Sequence, residues 1–195
     1  MDMDVTSPSN RCQGKCPGGF TLIELLIVIT ITAILLGMAA PSFSELIQSH
    51  RLTGHINQLV SHLSYARSEA VKSNRNAILC KSRDGMNCSN TSQCEEGWIL
   101  FVDSDKDRQH DSAEPKLADQ HALGHDISII FSAFPYHSRH YVLYYPTGDS
   151  LGNGTFTFCD SRGKDSAKAL VLYKTGRLRT SRTSPDGSEL HCPSN

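Results

Sequence analysis

The sequence predicts an α+β protein: one long N-terminal helix followed by a domain of antiparallel strands. Three observations predict it. An almost unbroken apolar run extends from Phe20 to near Ala40. Beyond Pro41, Leu52, Ile56, Leu59, Leu63, Ala66 and Ala70 recur at alternating spacings of four and three, which is one face of an amphipathic helix. Beyond Asn76 the pattern changes to short runs rich in branched and aromatic residues, bounded by turn residues. A helix followed by strands is an α+β layout, and 195 residues suffice for one domain plus a long helix.

The first segment, residues 1–19, is polar and ends in Gly18-Gly19. Its charges, Asp2, Asp4, Arg11 and Lys15, cancel. An ordinary secretory signal is cleaved after its apolar core. Here the apolar run follows the glycines, so cleavage after Gly19 leaves that run on the mature chain, starting at Phe20. Residues 20–40 are long enough to span a bilayer, at about 1.5 Å per residue against a hydrocarbon core of about 30 Å. The one charge in the run is Glu24. A carboxylate in hydrocarbon costs roughly several kcal/mol, so a chain that keeps one there needs a partner for it. That partner is expected on another copy of the same kind of chain; the plainer alternative is a signal anchor with an incidental acid.

Pro41 removes a backbone donor and predicts a kink. One helix is expected from about Phe20 to Asn74. Residues 20–40 form its membrane half, and residues 41–75 pack on a globular head made by residues 76–195. The face opposite the apolar stripe carries Gln58, Ser61, Arg67 and Lys72. Strands are expected at Ala77–Lys81, Gly97–Val102, Ile127–Phe131, Tyr141–Tyr145, Thr155–Cys159, Ala169–Lys174 and Arg177–Arg182. Turn residues separate several of them: Gly85, Pro146 with Gly148, Gly152-Asn153-Gly154 and Gly176. No internal repeat or low-complexity tract is evident.

The formal net charge is −1, so total charge points to no particular partner. Its distribution is uneven. Arg162, Lys164, Lys168, Lys174, Arg177, Arg179 and Arg182 are opposed within the same stretch only by Asp160 and Asp165. Such a patch either meets an anion or is a solvated edge strand kept from aggregating by its charges. Gly176 reads as a tight turn between two strands, and alternation then puts Arg177 and Arg179 on one face.

Asp103, Asp105, Asp107, Asp111 and Glu114 fall at the first, third, fifth, ninth and twelfth places of a calcium-loop template. The sixth place, where the turn requires glycine, is Arg108, and strands rather than helices flank it. The segment reads as a polar hairpin loop, with calcium the lesser alternative. His121 and His125 lack a third ligand, and His50, His55 and His62 on the helix read as solvent or subunit contacts. No nucleophile elbow, Walker loop or dinucleotide fingerprint is present, so neither an enzyme nor a cofactor is expected.

The segment GFTLIELLIVITITAILLGMAAPSF resembles the N-terminus of type IV pilins and type II secretion pseudopilins. LSYARSEAVKSNRNAILCKSRDG, GWILFVDSD and FCDSRG, in that order, resemble the minor pilin and pseudopilin branch called GspH/FimT. The resemblance implies a type IV pilin fold, prepilin peptidase cleavage after Gly19, methylation of the Phe20 amine, and pairing of Glu24 with a neighbour's N-terminal amine. It implies an inner-membrane protein with a periplasmic head that later joins a pilus at the cell surface. Other pilins, the prepilin peptidase and double-stranded DNA are the implied partners. The Gly-Arg-x-Arg motif at Gly176–Arg179 is similar to that of FimT-type minor pilins of DNA uptake in natural transformation, which implies DNA binding by Arg177 and Arg179. Lys174, Arg182, Arg162, Lys164 and Lys168 join them by charge alone. The rival expectation is a structural minor pilin, or a type II secretion pseudopilin, that never touches DNA.

Of seven cysteines, Cys12 and Cys16 lie in the leader. The others reach an oxidising periplasm, where disulfides form. Sequence alone does not fix their pairing. The resemblance implies Cys80–Cys88 and Cys159–Cys192, with Cys94 left over.

Overall fold

The computed structural model describes residues 19–89, 96–124, 126–134 and 140–193, the side chains of residues 38–42 excepted. The leader with Cys12 and Cys16, together with Cys94 and His125, lies outside the described residues. The chain divides into two compact units, Met1–Ser44 and Glu45–Asn195. A single helix, α1 (Leu22–Ser73), begins in the first and ends in the second. The kink expected at Pro41 falls among residues whose side chains are not described.

In the first unit, Thr21 caps the helix. Its Oγ1 accepts the Glu24 backbone N–H at 3.2 Å, and Glu24 lies in the first turn. A Thr-x-x-Glu start satisfies orphan N–H groups and sets a carboxylate at the positive end of the helix dipole. Glu24 therefore has a local reason for its position in addition to any intersubunit one. The hydroxyls of Thr30 and Thr32 bond back to the carbonyls of Ile27 and Val28, each at 2.8 Å, so neither polar side chain needs an outside partner. Leu22, Ile23, Leu25, Leu26, Ile27, Val28, Ile29 and Ile31 are exposed. A contiguous apolar surface of this kind marks a partner or a membrane. Among the described residues, no helix is long and apolar enough to cross a membrane.

In the second unit, the helical stripe read from the sequence is the buried one: Leu52, Ile56, Leu59, Leu63, Ala66 and Ala70. Asn74, at φ 53°, takes the left-handed conformation that ends a helix. Among the described residues eight strands follow: β1 (Asn76–Lys81), β2 (Trp98–Asp103), β3 (Lys116–Gln120), β4 (Ile127–Phe134), β5 (Tyr141–Tyr144), β6 (Asn153–Asp160), β7 (Lys168–Leu172) and β8 (Leu178–Ser181). They form two antiparallel sheets, ordered β3-β2-β1-β5 and β4-β6-β7-β8.

The helix stripe packs on both sheets at once. One core cluster joins it to Leu79, Trp98, Leu100 and Tyr144 of the first sheet and to Ile129, Phe131, Phe156, Phe158, Leu170 and Leu172 of the second. Strand alternation in β4 places Ile127, Ile129, Phe131 and Ala133 inward. The far face of the first sheet holds a second cluster, with Ile78, Cys80, Ile99, Phe101 and Leu143. The far face of the second sheet holds a third, made by Cys159, Ala167, Ala169 and Leu190 of the C-terminal tail. Among the described residues two disulfides are formed, Cys80–Cys88 and Cys159–Cys192, with Cα separations of 5.5 and 5.8 Å.

Candidate nucleic-acid interface

Two five-residue turns of matching sequence stand side by side at one end of the sheets: Tyr145-Pro-Thr-Gly-Asp149 after β5 and Tyr173-Lys-Thr-Gly-Arg177 between β7 and β8. Their hydrogen bonds match. The glycine N–H donates to the tyrosine carbonyl at 2.8 Å, and the tyrosine N–H donates to the fifth residue's carbonyl at 2.9 Å, in both turns. Gly148 and Gly176 adopt φ of 82° and 77°, the left-handed region that side chains disfavour. Ser150 ties the turns together, its N–H donating to the Lys174 carbonyl at 2.8 Å.

Arg67 of α1 clamps this pair. Its Nε donates to the Gly148 carbonyl at 2.9 Å and its Nη2 to the Thr175 carbonyl at 3.1 Å. The sequence placed Arg67 on the solvent face, and it is exposed, yet it fixes two turns 81 and 108 residues away. Its guanidinium fork suits two converging carbonyls in a way that a lysine does not. No local sequence pattern reports such a bond; the near-identical turns were the available signal.

The clamp sets the position of the basic hairpin. β8 is the edge strand of its sheet. Lys174, Arg177, Arg179 and Arg182 are exposed there, and among the described residues none of these side chains has an ion-pair or hydrogen-bond partner. Arg177 stands one residue before β8 and lines a groove of about 820 Å³ with Val60, Ser64, Arg67 and Val71 of the helix. Arg179, within β8, lies opposite Val171 and shares that residue's sheet face, opposite to the inward Leu170 and Leu172.

The other three basic residues are engaged elsewhere. Arg162 is a fork on Asp160, with Nε 3.1 Å from both carboxylate oxygens, and its Nη1 reaches the Glu45 carbonyl at 3.3 Å. The bond to Asp160 raises the Arg162 pKa further. Lys164 pairs with Glu189 at 2.8 Å, and Lys168 donates to Thr53 Oγ1 at 2.9 Å. Charge counted along the sequence thus separates in space into a free hairpin and a paired group.

The acidic loop joins β2 to β3. Side-chain oxygens of Asp103, Asp105 and Glu114 lie within 4.8 Å of one another. Asp107 and Asp111 are turned to the loop backbone, accepting the N–H groups of Gln109 and Ala113 at 2.7 Å each. Burial raises the Glu114 pKa; the Ser104 N–H bond works against this, and the charges of Asp103, Asp105 and Asp111 add to it. Among the histidines, His62 Nδ1 accepts the Trp98 indole N–H at 2.9 Å, and His121 Nε2 lies 3.5 Å from Asp119. His62 is thereby a core-edge acceptor rather than a solvent residue, and burial lowers its pKa.

Residues 55–176 match the family described as Type II transport protein GspH, and residues 15–40 match the Prokaryotic N-terminal methylation motif. The first match runs from the helix to the Gly176 turn, so Arg177, Arg179 and Arg182 lie just beyond it. Pilin-like protein PilA1 of Thermus thermophilus is 29% identical over 164 residues, which is 83% of this chain and 89% of that protein. The type IV minor pilin FimU of Pseudomonas aeruginosa shares the fold at a TM-score of 0.52 and 18% identity, covering 68% of this chain and 89% of FimU. The minor pseudopilin EpsH from the Type 2 Secretion System of Vibrio cholerae aligns at a TM-score of 0.46 and 11% identity, over 64% of this chain and 91% of EpsH. With a helix running into a two-sheet head, and with family matches over most of its length, the chain belongs to the GspH family of minor pilins and pseudopilins.

Proposed function

We propose that this minor pilin binds DNA non-specifically through the β7–β8 hairpin and so supports DNA uptake in natural transformation. One observation carries the reading: Lys174, Arg177, Arg179 and Arg182 crowd an edge hairpin, exposed and without anionic partners among the described residues. Arginine forks match phosphate oxygens, and a row of cations follows a backbone without reading bases. Four phosphate contacts give a salt slope of about −3.6, so affinity falls roughly a hundredfold between 50 and 200 mM salt. The chain in detergent, tested by gel shift on unrelated duplexes, should show this dependence. Arg177→Gln with Arg179→Gln should weaken binding and reduce the slope by about 2. No binding at low salt sinks the reading, and undiminished binding by the double variant means another surface carries it.

The same charges on an edge strand also serve to block strand addition. That favours the rival, a purely structural pilin or a type II secretion pseudopilin, for which the double variant aggregates but no DNA shift occurs in the parent.

Delivery follows from the other end. Cleavage after Gly19, methylation at Phe20 and anchoring of residues 20–40 in the inner membrane precede assembly, with Glu24 paired to a neighbour's N-terminal amine. The exposed apolar face of Leu22–Ile31 supports this, since among the described residues nothing covers it. Glu24→Ala should leave the membrane-bound pool intact and remove the protein from sheared filaments on immunoblots. Normal incorporation of that variant refutes the pairing.

A further inference from the structure

We propose that the β2–β3 loop binds a calcium ion between Asp103, Asp105 and Glu114. Asp103 ends β2 and is 1% exposed, and neither of its carboxylate oxygens has a hydrogen-bond partner. Glu114 is 8% exposed. Its Oε1 accepts the Ser104 N–H at 2.5 Å, while its Oε2 is buried and unpartnered. Two nearly buried carboxylates thus present three orphan oxygens, and Asp105 closes on them from the exposed side.

The separation fits an ion. Oxygens that each lie about 2.4 Å from a common calcium ion can be at most about 4.8 Å apart, and the three side chains keep within that limit. The charge also favours one. Acids taken out of water and held together are costly unless a cation compensates them. Among the described residues no lysine or arginine pairs with any of the three. Arg75, the basic group bonded to this loop, donates to the Ser104 hydroxyl at 3.2 Å instead.

The sequence objection was the missing glycine at the sixth place of the template. Arg108 takes the left-handed turn there regardless, at φ 68°, as Lys106 does at the fourth place, at φ 69°. The donor set is all oxygen, which selects hard cations over zinc or copper. Magnesium demands a tight octahedron and keeps most of its water, whereas calcium accepts several carboxylates in irregular geometry. Affinity in the range of about 10⁻⁴ to 10⁻³ M, that of extracellular calcium modules, is expected.

The test is a thermal melt of the full chain in detergent, in EDTA and in about 5 mM calcium chloride, about 5 to 50 times the expected dissociation constant. Calcium should raise the midpoint by about 2–9 °C, and an equal concentration of magnesium by much less. Asp105→Asn, at an exposed position, should keep the fold and lose the response. Asp103→Asn should melt higher than the parent in EDTA, because it removes a buried charge, and gain nothing from calcium. The proposal falls if calcium leaves the parent unmoved, if magnesium matches it, or if Asp105→Asn responds like the parent. That exposed variant decides the matter should Asp103→Asn fail to fold.

Discussion

Gly176→Ala is expected to destabilise the head by about 3 kcal/mol or more. Two costs combine. At φ 77° a residue with a side chain pays roughly 1–2 kcal/mol for the left-handed conformation. The added Cβ also lands 2.3 Å from the Gly148 carbonyl oxygen and 2.8 Å from Arg67 Nε. The first of these is backbone of the partner turn, so one turn must move. Either movement separates the carbonyls that Arg67 holds, and hydrogen bonds to a charged donor are worth about 1.5–3 kcal/mol before discounting for exposure. Gly187→Ala isolates the first cost. Gly187 has φ 86° but nothing within 4 Å of the added carbon, so only the conformational cost applies, about 1–2 kcal/mol. Urea midpoints of the two variants check the argument. Equal losses would mean that the paired turns do not bear on stability. Because Arg177 follows Gly176 directly, Gly176→Ala should also weaken DNA binding at temperatures where the head remains folded.

The legibility of the fold in the sequence follows from what each pattern reports. The stripe from Leu52 to Ala70 is a purely periodic signal, and its face is the buried one. β3, Lys-Leu-Ala-Asp-Gln, was not legible, since it is a half-exposed edge strand with neither aromatic nor β-branched residues. The division into two sheets was equally hidden: β1 and β5 pair with each other across the 59 residues between Lys81 and Tyr141, and no local pattern fixes such a partner. At the candidate interface, charge along the chain overcounted the patch. Arg162 and Lys164 follow β6 and bond Asp160 and Glu189, whereas Lys174 and Arg177 lie in the turn at the far end of β7; Arg182, just after β8, returns toward the start of β7, since Ser181 pairs with Ala169. At the acidic loop the calcium template expects glycine at the sixth place, and Arg108 takes the left-handed conformation there. A residue scale cannot see φ, and it is φ that closes the loop.

Removing the Cys159–Cys192 bond, by Cys159→Ser with Cys192→Ser, is expected to lower the melting midpoint by roughly 10 °C. The bond closes a separation of 33 residues, for which loop-closure entropy gives about 3–4 kcal/mol, and a domain of this size loses about 2–4 °C per kcal/mol. Cys80–Cys88 closes only 8, so its removal should cost about 1 kcal/mol less. Position adds to the difference. The tail beyond β8 crosses the outer face of the second sheet and buries Leu190 against Cys159, Ala167 and Ala169. Its other tether, the Lys164–Glu189 pair, is exposed and contributes little. Without the clasp Leu190 loses its anchor, the apolar cluster opens to water, and the chain after Ser181 becomes accessible to protease. Limited proteolysis should therefore cut the double variant between Thr183 and Cys192 while leaving the parent intact. A tail that stays resistant would mean that Leu190, rather than the disulfide, holds it. The DNA reading makes a separate demand on the same variant: Arg177 and Arg179 are fixed by the turn and by β8, upstream of the tail, so binding below the lowered midpoint should persist.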